Sequence, residues 1–586
     1  MSAVFFIICA VVGAWVNCQA QISTRNGPIQ GHALTIQGKT LNRFLGVPYA
    51  KPPLGDLRFK KPQPVENWTG VKNTTVFGDS CMQLVTPEFP LPKKISEDCL
   101  TLNLFVPGDI HINNSKAVMV YIHGGGYNTG ETDILIFDTF ALQGDVIVVT
   151  VNYRLGPFGF LTTGDVNAPG NAGLWDQIEG LKWVRDNIEN FGGDPNRVTI
   201  FGESAGGGSV SQLATTLAAR GLFHRFISMS GTAVSDWAFV DGSADIATKM
   251  ANILGCNSSK SDTAKLVACL RGVDKARLLN ASLQVPAYST GLTFAPVVDG
   301  DMFRQPVTES LQNPDSELVR HFRSLDYMGG FLNSDGGGML LGMAFNYSQG
   351  IEPHLLRDEL IPNIAKTIST YFESEVAQAI QRVYFSSASE DLGANARGFV
   401  NLQTDTAFAV STVKFLSHHL SSSNGTGSSY LYYFTKEPSF GHLIPMPAWF
   451  QGANHADDVA FMLHGQLDLS GLINITLTEA EREFCTNLVN YWTNFAKSGN
   501  PNKPVHVPTA WEQYTATGKH YLDLGDTIAS KTDVIPQRMK LWLTTIPQIL
   551  SRGTTPSPTT TSGHIYCSAS SVVIITLTLI FLKRLF

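Results

Sequence analysis

The sequence predicts an α/β protein with a mostly parallel central sheet and helices on both faces, and three observations carry that expectation. Apolar, β-branched runs without polar alternation mark strands buried on both faces: Ala117-Val-Met-Val-Tyr-Ile122, Val146-Ile-Val-Val-Thr-Val151 and Val198-Thr-Ile-Phe201. Between the second and third runs, Leu174, Ile178, Leu181, Val184 and Ile188 recur at helical spacing. Gly173 to Phe191 is therefore read as the crossover helix of a βαβ unit. No internal repeat and no Ser/Gly linker interrupts the chain before residue 550, so residues 21–550 are expected to form one domain.

The chain has 586 residues, 43% hydrophobic and 16% charged, enough to bury a large core and unlike a disordered or fibrous polymer. A formal net charge of -7 without a long Lys/Arg run leaves no surface suited to neutralising phosphates. No nucleic acid is expected as a partner. Residues 1–20 hold an uncharged apolar run from Val4 to Val16 and then Cys18-Gln19-Ala20, the pattern of a secretory signal peptide cleaved before Gln21. Of the 8 cysteines, Cys81 with Cys99 and Cys256 with Cys269 form locally spaced pairs, which suits short-range disulfides in an oxidising compartment. Cys485, in a helix expected from Glu479 to Phe495, is read as a buried free thiol. Sequons at Asn67, Asn73, Asn113, Asn257, Asn280, Asn346, Asn424 and Asn474 offer glycan acceptors in the secretory route.

Chemistry enters after the third strand, which runs into Gly202-Glu-Ser204-Ala-Gly206 and then small residues before a helix expected over Val210 to Ala219. Glycines two before and two after the serine permit a sharp strand-to-helix turn that presents Ser204 Oγ at the sheet edge, a nucleophile elbow. The predicted class is accordingly the α/β-hydrolase fold. Attack by serine on an ester carbonyl generates an oxyanion, and His123-Gly124-Gly125-Gly126 follows the strand ending at Ile122. The N–H groups of Gly125 and Gly126, with that of Ala205, can converge on the developing charge. His123 itself is read as a packing residue.

Serine needs a histidine to take its proton and a carboxylate to hold the imidazole's tautomer, and in this fold the order is Ser, acid, His. Leu325 to Phe331 reads as a strand, followed by the loop Asn333-Ser-Asp335-Gly-Gly-Gly338, so Asp335 is preferred as the acid over Asp326, which opens the strand. His455, in the polar loop Gln451-Gly-Ala-Asn-His455-Ala-Asp-Asp458, is the expected base, although the spacing leaves other histidines among the 14 open. The expected reaction uses no cofactor and no metal.

Several further segments make the chain resemble the type B carboxylesterase/lipase family, which includes the cholinesterases, over residues 27 to 545. They are Phe44 to Pro53, Glu97 to Asn103, Asn152 to Phe160, and Phe191 to Gly207 with the elbow at its end. Within that family, the bile-salt-activated (carboxyl ester) lipases share the acid loop at Asn333 to Gly336, the run His455 to Asp458, and Tyr491 to Pro501. The resemblance implies a serine ester hydrolase with the triad Ser204, Asp335 and His455. It also implies oxyanion donors at Gly125, Gly126 and Ala205, and disulfides Cys81–Cys99 and Cys256–Cys269. The first disulfide loop, Met82 to Asp98, has no Trp to receive a quaternary ammonium, so choline esters are not expected. Ser80 stands where the bile-salt lipases carry a basic residue, and Gly130 to Gly144 is shorter, so bile-salt activation does not follow from the likeness.

The expected function is hydrolysis of apolar small-molecule or lipid esters through an acyl-enzyme. The alternative is a cell-surface adhesion protein of the neuroligin type, which keeps the fold without catalysis; the complete Ser/Asp/His set argues for the enzyme. At the C-terminus, the Pro/Ser/Thr-rich residues 551–563 read as a stalk. Residues 564–586 read as a hydrophobic membrane anchor, either a single span or a GPI signal, placing the catalytic domain outside the cell. The residues do not set the oligomeric state.

Overall fold

The apolar runs lie at the centre of a 14-stranded sheet. The computed structural model describes residues 8–9, 18–85, 94–240, 242, 244–256, 260–288, 291–343, 345–385, 390–420, 426–468 and 475–552. The strands that bear on the site are β1 (Cys18–Thr24), β2 (Gly27–Ile36), β3 (Lys39–Pro48), β4 (Thr101–Pro107), β5 (Lys116–Ile122), β6 (Ile147–Val151), β7 (Gly193–Glu203), β8 (Arg225–Met229), β9 (Asp326–Leu332), β10 (Ser429–Phe434), β11 (His520–Leu524) and β12 (Ile528–Thr532). They pair in the order β1-β2-β3-β4-β6-β5-β7-β8-β9-β10-β11-β12. Every neighbouring pair from β6 to β11 is parallel. The flanks, β1 to β4 with β6 and β12 with β11, are antiparallel.

Strand period places alternate residues on opposite faces, and two apolar cores follow from it. Val118, Val120 and Ile122 of β5 and Ile147, Val149 and Val151 of β6 enter one core; Ala117, Met119, Tyr121 and Val148 enter the other. Helices cover both. On the first face lie α1 (Ala172–Asn187), with Leu174, Ile178, Leu181 and Val184 inward, and α2 (Ala205–Ala214). The same core takes residues of α3 (Leu392–Thr404) and α4 (Val410–Leu420). The second face is covered by α5 (Asp457–Met462) and α6 (Glu479–Ser498), whose Phe484, Leu488, Val489 and Trp492 are buried. A capping box starts α6: Thr478 Oγ1 accepts from the Glu481 N–H, and Glu481 Oε2 accepts from the Thr478 N–H. A last helix, α7 (Pro536–Lys540), precedes a continued helical stretch to Ser551.

Two predicted boundaries move. The crossover helix is regular to Asn187 and tightens into a 3-10 turn over Ile188–Phe191, where Gly192 at φ 81 ends it. The helix after the serine begins at Ala205 rather than Val210 and stops at Ala214. Its early glycines are there for close packing: a Cβ on Gly207 would lie 2.5 Å from the Met229 carbonyl oxygen.

Cys81–Cys99 and Cys256–Cys269 are disulfide-bonded, and Cys485 is a buried free thiol pushed up to about 12 by burial. Asn67, Asn73, Asn113, Asn280 and Asn346 are exposed; Asn257, Asn424 and Asn474 lie outside the described residues. So do most of residues 1–20 and all of 553–586, where the signal peptide and the anchor were expected, while β1 starts at Cys18. Among the described residues no helix is long and apolar enough to cross a membrane.

Candidate active site

Ser204 sits between the C-terminal end of β7 and the first turn of α2 with φ 58 and ψ -123, a conformation L side chains rarely adopt. Its N–H bonds the Met229 carbonyl at 2.8 Å, tying the turn to β8. The flanking glycines are needed because the elbow is pressed against β5. A Cβ on Gly206 would lie 2.0 Å from the Ile122 carbonyl oxygen, and one on Gly202 would lie 2.5 Å from the same atom.

The glycine loop after β5 lies directly beside this turn. A Cβ on Gly124 would stand 3.0 Å from Ser204 Cβ. Gly125 and Gly126 both have positive φ, 102 and 60, and the loop is closed by the Asn128 and Thr129 N–H groups donating to the Gly125 carbonyl. Among the described residues no backbone carbonyl outside the helices and strands accepts from the N–H groups of Gly125 and Gly126. His123 points away from this chemistry: it stacks on Tyr153 at 4.4 Å, and burial lowers it to about 4.

Two loops from the same sheet edge meet next to the elbow. Asp335 follows β9 by three residues and is fully buried; His455 precedes α5. The loops are sewn together by the Ala453 N–H on Asn333 Oδ1 (2.7 Å), the Ser334 N–H on the Ala453 carbonyl (3.1 Å) and Ser334 Oγ on the Gln451 carbonyl (2.7 Å). The result is a 2.6 Å hydrogen bond between His455 Nδ1 and Asp335 Oδ1. Asp335 Oδ2 accepts from Ser230 Oγ at 2.7 Å and from the Leu332 N–H at 3.0 Å, which hold the carboxylate's plane. Asp326, by contrast, lies at the opposite end of β9, with its Oδ2 3.1 Å from Arg225 Nε.

The structure also brings in residues the sequence did not single out. Glu203 Oε1 lies 3.1 Å from His455 Nε2, Phe408 stacks on the imidazole at 4.7 Å, and Asp458 is buried nearby with Tyr432 OH donating to it at 3.3 Å. Their electrostatics are coupled. Burial pushes Glu203 up to about 7; burial opposes charge on His455, yet the carboxylates of Glu203, Asp335 and Asp458 outweigh it and raise the imidazole to about 9. Asp458 is held well above the usual carboxylate range by burial and by the Glu203 and Asp335 charges. Position x of a G-x-S-x-G motif carries no residue signal, so Glu203 was invisible; Ser230 and Phe408 arrive from distant segments. Among the described residues no cluster of His, Cys, Asp and Glu is arranged to hold a metal ion. A cavity of about 780 Å³ between Lys116, Arg197 and Lys497 lies at the other end of the strands and takes no part in this site.

A parallel sheet with a strained serine turn at its C-terminal edge, flanked by a glycine loop and a paired His and Asp, defines a hydrolase of the α/β-hydrolase fold. A model of the carboxylesterase family matches residues 18–542. The chain is 33% identical to a medium-chain fatty acyl-CoA hydrolase precursor of Anas platyrhynchos, over 91% of this chain and 93% of that protein. It is equally 33% identical to liver carboxylesterase 1 of Oryctolagus cuniculus (91% and 95% covered) and to carboxylesterase 3B of Mus musculus (90% and 91%). The chain belongs to the carboxylesterase family and is a carboxylic ester hydrolase. The adhesion alternative is not favoured.

Proposed function

We propose that Ser204 is the nucleophile, His455 its general base and Asp335 the residue that orients and charge-balances the imidazole. The observation that carries this reading is the 2.6 Å bond from His455 Nδ1 to a fully buried Asp335 beside the strained Ser204 turn. Ser204 Oγ attacks the ester carbonyl carbon while His455 Nε2 takes its proton; the carbonyl oxygen becomes an oxyanion held by the N–H groups of Gly125, Gly126 and Ala205. Collapse breaks the carbon–oxygen bond to the alcohol, which leaves with the proton from His455. Water, deprotonated by the same imidazole, then adds to the acyl carbon; the bond to Ser204 Oγ breaks, the acid leaves, and Oγ takes back the proton from His455.

Leu292 beside Gly126, Trp237 beside Gly231 and Phe408 on His455 border the site and support apolar acyl groups as substrates. The two disulfides and the exposed sequons support maturation in the secretory route; the apolar run and the polar stretch before it in the sequence are what support residues 1–20 as removed, residues 21–550 as one catalytic domain and residues 564–586 as its membrane anchor. Ser204→Ala tests the catalytic reading: turnover of p-nitrophenyl esters should fall on the order of a millionfold with folding retained. Hydrolysis persisting in that variant rejects it.

A further inference from the structure

Between α3 and α4 the chain makes a π-helical turn, Asp405–Ala409, in which the Val410 N–H bonds the Asp405 carbonyl five residues back. An inserted residue of this kind costs regular helix geometry and persists where packing demands it. Here the turn delivers contacts to both members of the acid–base couple. Phe408, itself buried, stacks on the His455 ring at 4.7 Å with an interplanar angle of 25°. Thr404, immediately before the turn, accepts at Oγ1 from the N–H of Gly336, next to Asp335, at 2.9 Å.

The turn is clamped from two sides. Trp237 Nε1 donates to the Ala407 carbonyl at 2.9 Å. On the other side Arg538 of α7 reaches across 133 residues: its Nε donates to Asp405 Oδ2 at 2.6 Å, its Nη2 to Asp405 Oδ1, and its Nη1 to Asn401 Oδ1 at 3.2 Å. Tyr384 OH donates to Asp405 Oδ2 while accepting from Trp542 Nε1 at 2.7 Å. The Asp405 side chain is wholly buried and that of Arg538 is 16% exposed. A buried ion pair gains little net stability after desolvation, but two parallel bonds to one carboxylate fix direction.

We propose that the Arg538–Asp405 pair is a positioning device for the catalytic couple: by holding the π turn, the C-terminal helix fixes Phe408 against His455 and Thr404 against the Asp335 loop. The inference rests on the triad reading above. Neither Arg538 nor Asp405 touches substrate; both act through the turn.

The test separates positioning from mere folding by counting competent sites. The full-length enzyme and its Arg538→Gln, Arg538→Lys, Asp405→Asn and Phe408→Leu variants are labelled to completion with a fluorophosphonate, and kcat is expressed per labelled serine. Arg538→Gln and Asp405→Asn should lower kcat per site roughly 10- to 100-fold, the scale of a small misplacement of reacting groups, with KM within about threefold of the parent. Arg538→Lys should recover part of the loss. Phe408→Leu should show a comparable loss, and the Arg538→Gln/Phe408→Leu double variant should be no worse than the poorer single, because Arg538 acts on His455 through Phe408. If one single variant does not fold, the neutral double Asp405→Asn/Arg538→Gln, which retains hydrogen-bonding groups at both positions, supplies the same comparison. An unchanged kcat per labelled site with fewer sites, or additive losses in the double variant, overturns the proposal. Failure of the triad reading itself is a different result, activity persisting in Ser204→Ala.

Discussion

Glu203→Gln removes one negative charge 3.1 Å from His455 Nε2 and leaves the side-chain volume almost unchanged. In the parent, burial works against a charged imidazole, but Glu203 first and Asp335 next raise it from 6.5 to about 9. That rise favours imidazolium by roughly 3 kcal/mol. Glu203 heads the raising influences, so its loss should move the imidazole's pKa down toward its ordinary value. The sign follows from the base's role. His455 accepts a proton only when neutral, so kcat/KM is full above its pKa and falls as pH drops through it. A raised pKa puts that fall above the ordinary imidazole range, and the Gln variant moves it to lower pH. Because burial lifts Glu203 to about 7, its carboxylate is ionised in the window between its own pKa and that of His455, where the shift is read. The assay is kcat/KM for a p-nitrophenyl ester from pH 5 to 10 for both enzymes. An acid limb at the same pH in both refutes the electrostatic account.

Asp335→Asn should keep the loop yet lose about 10⁴-fold in kcat, while Asp326→Asn should retain parental kcat, since Asp326 pairs with Arg225 at the far end of β9; the reverse pattern moves the acid. Gly125→Ala should cost roughly 100- to 1000-fold in kcat, because its Cβ would fall 2.2 Å from the Thr129 carbonyl oxygen and the donor must shift. Gly126→Ala meets only Leu292 Cδ2 at 3.5 Å and should cost less, which steady-state kinetics of the two variants will rank. Treating expressing cells with a phosphatidylinositol-specific phospholipase should release esterase activity if residues 564–586 are a GPI signal and leave it cell-bound if they are a single span; activity in untreated medium excludes both anchors.

The parts of this molecule that were legible in sequence are those whose cause is local. β5, β6 and β7 showed as unbroken apolar runs because parallel strands are buried on both faces, and the elbow showed because its glycines flank a sharp strand-to-helix turn within one short segment. The antiparallel strands β1 to β4 mix Arg43, Asn42 and Gly46 with apolar residues and went unread. Asp335 and His455 could be proposed from loop position, but their meeting depends on Asn333, Ser334 and Ala453, 120 residues apart in chain for Asn333 and Ala453. Glu203, Ser230, Phe408 and Arg538 were not legible at all. Each acts through a side chain brought from a separate element, and neither periodicity nor motif spacing encodes such a contact.

The central claim, that Ser204 performs the chemistry, is met most directly by covalent labelling. Reaction of the intact protein with a fluorophosphonate, followed by peptide mapping, should place one adduct per chain on the peptide containing Gly202 to Gly206, at Ser204, in step with loss of ester hydrolysis. An adduct on another residue, or full inactivation with Ser204 unmodified, would contradict it.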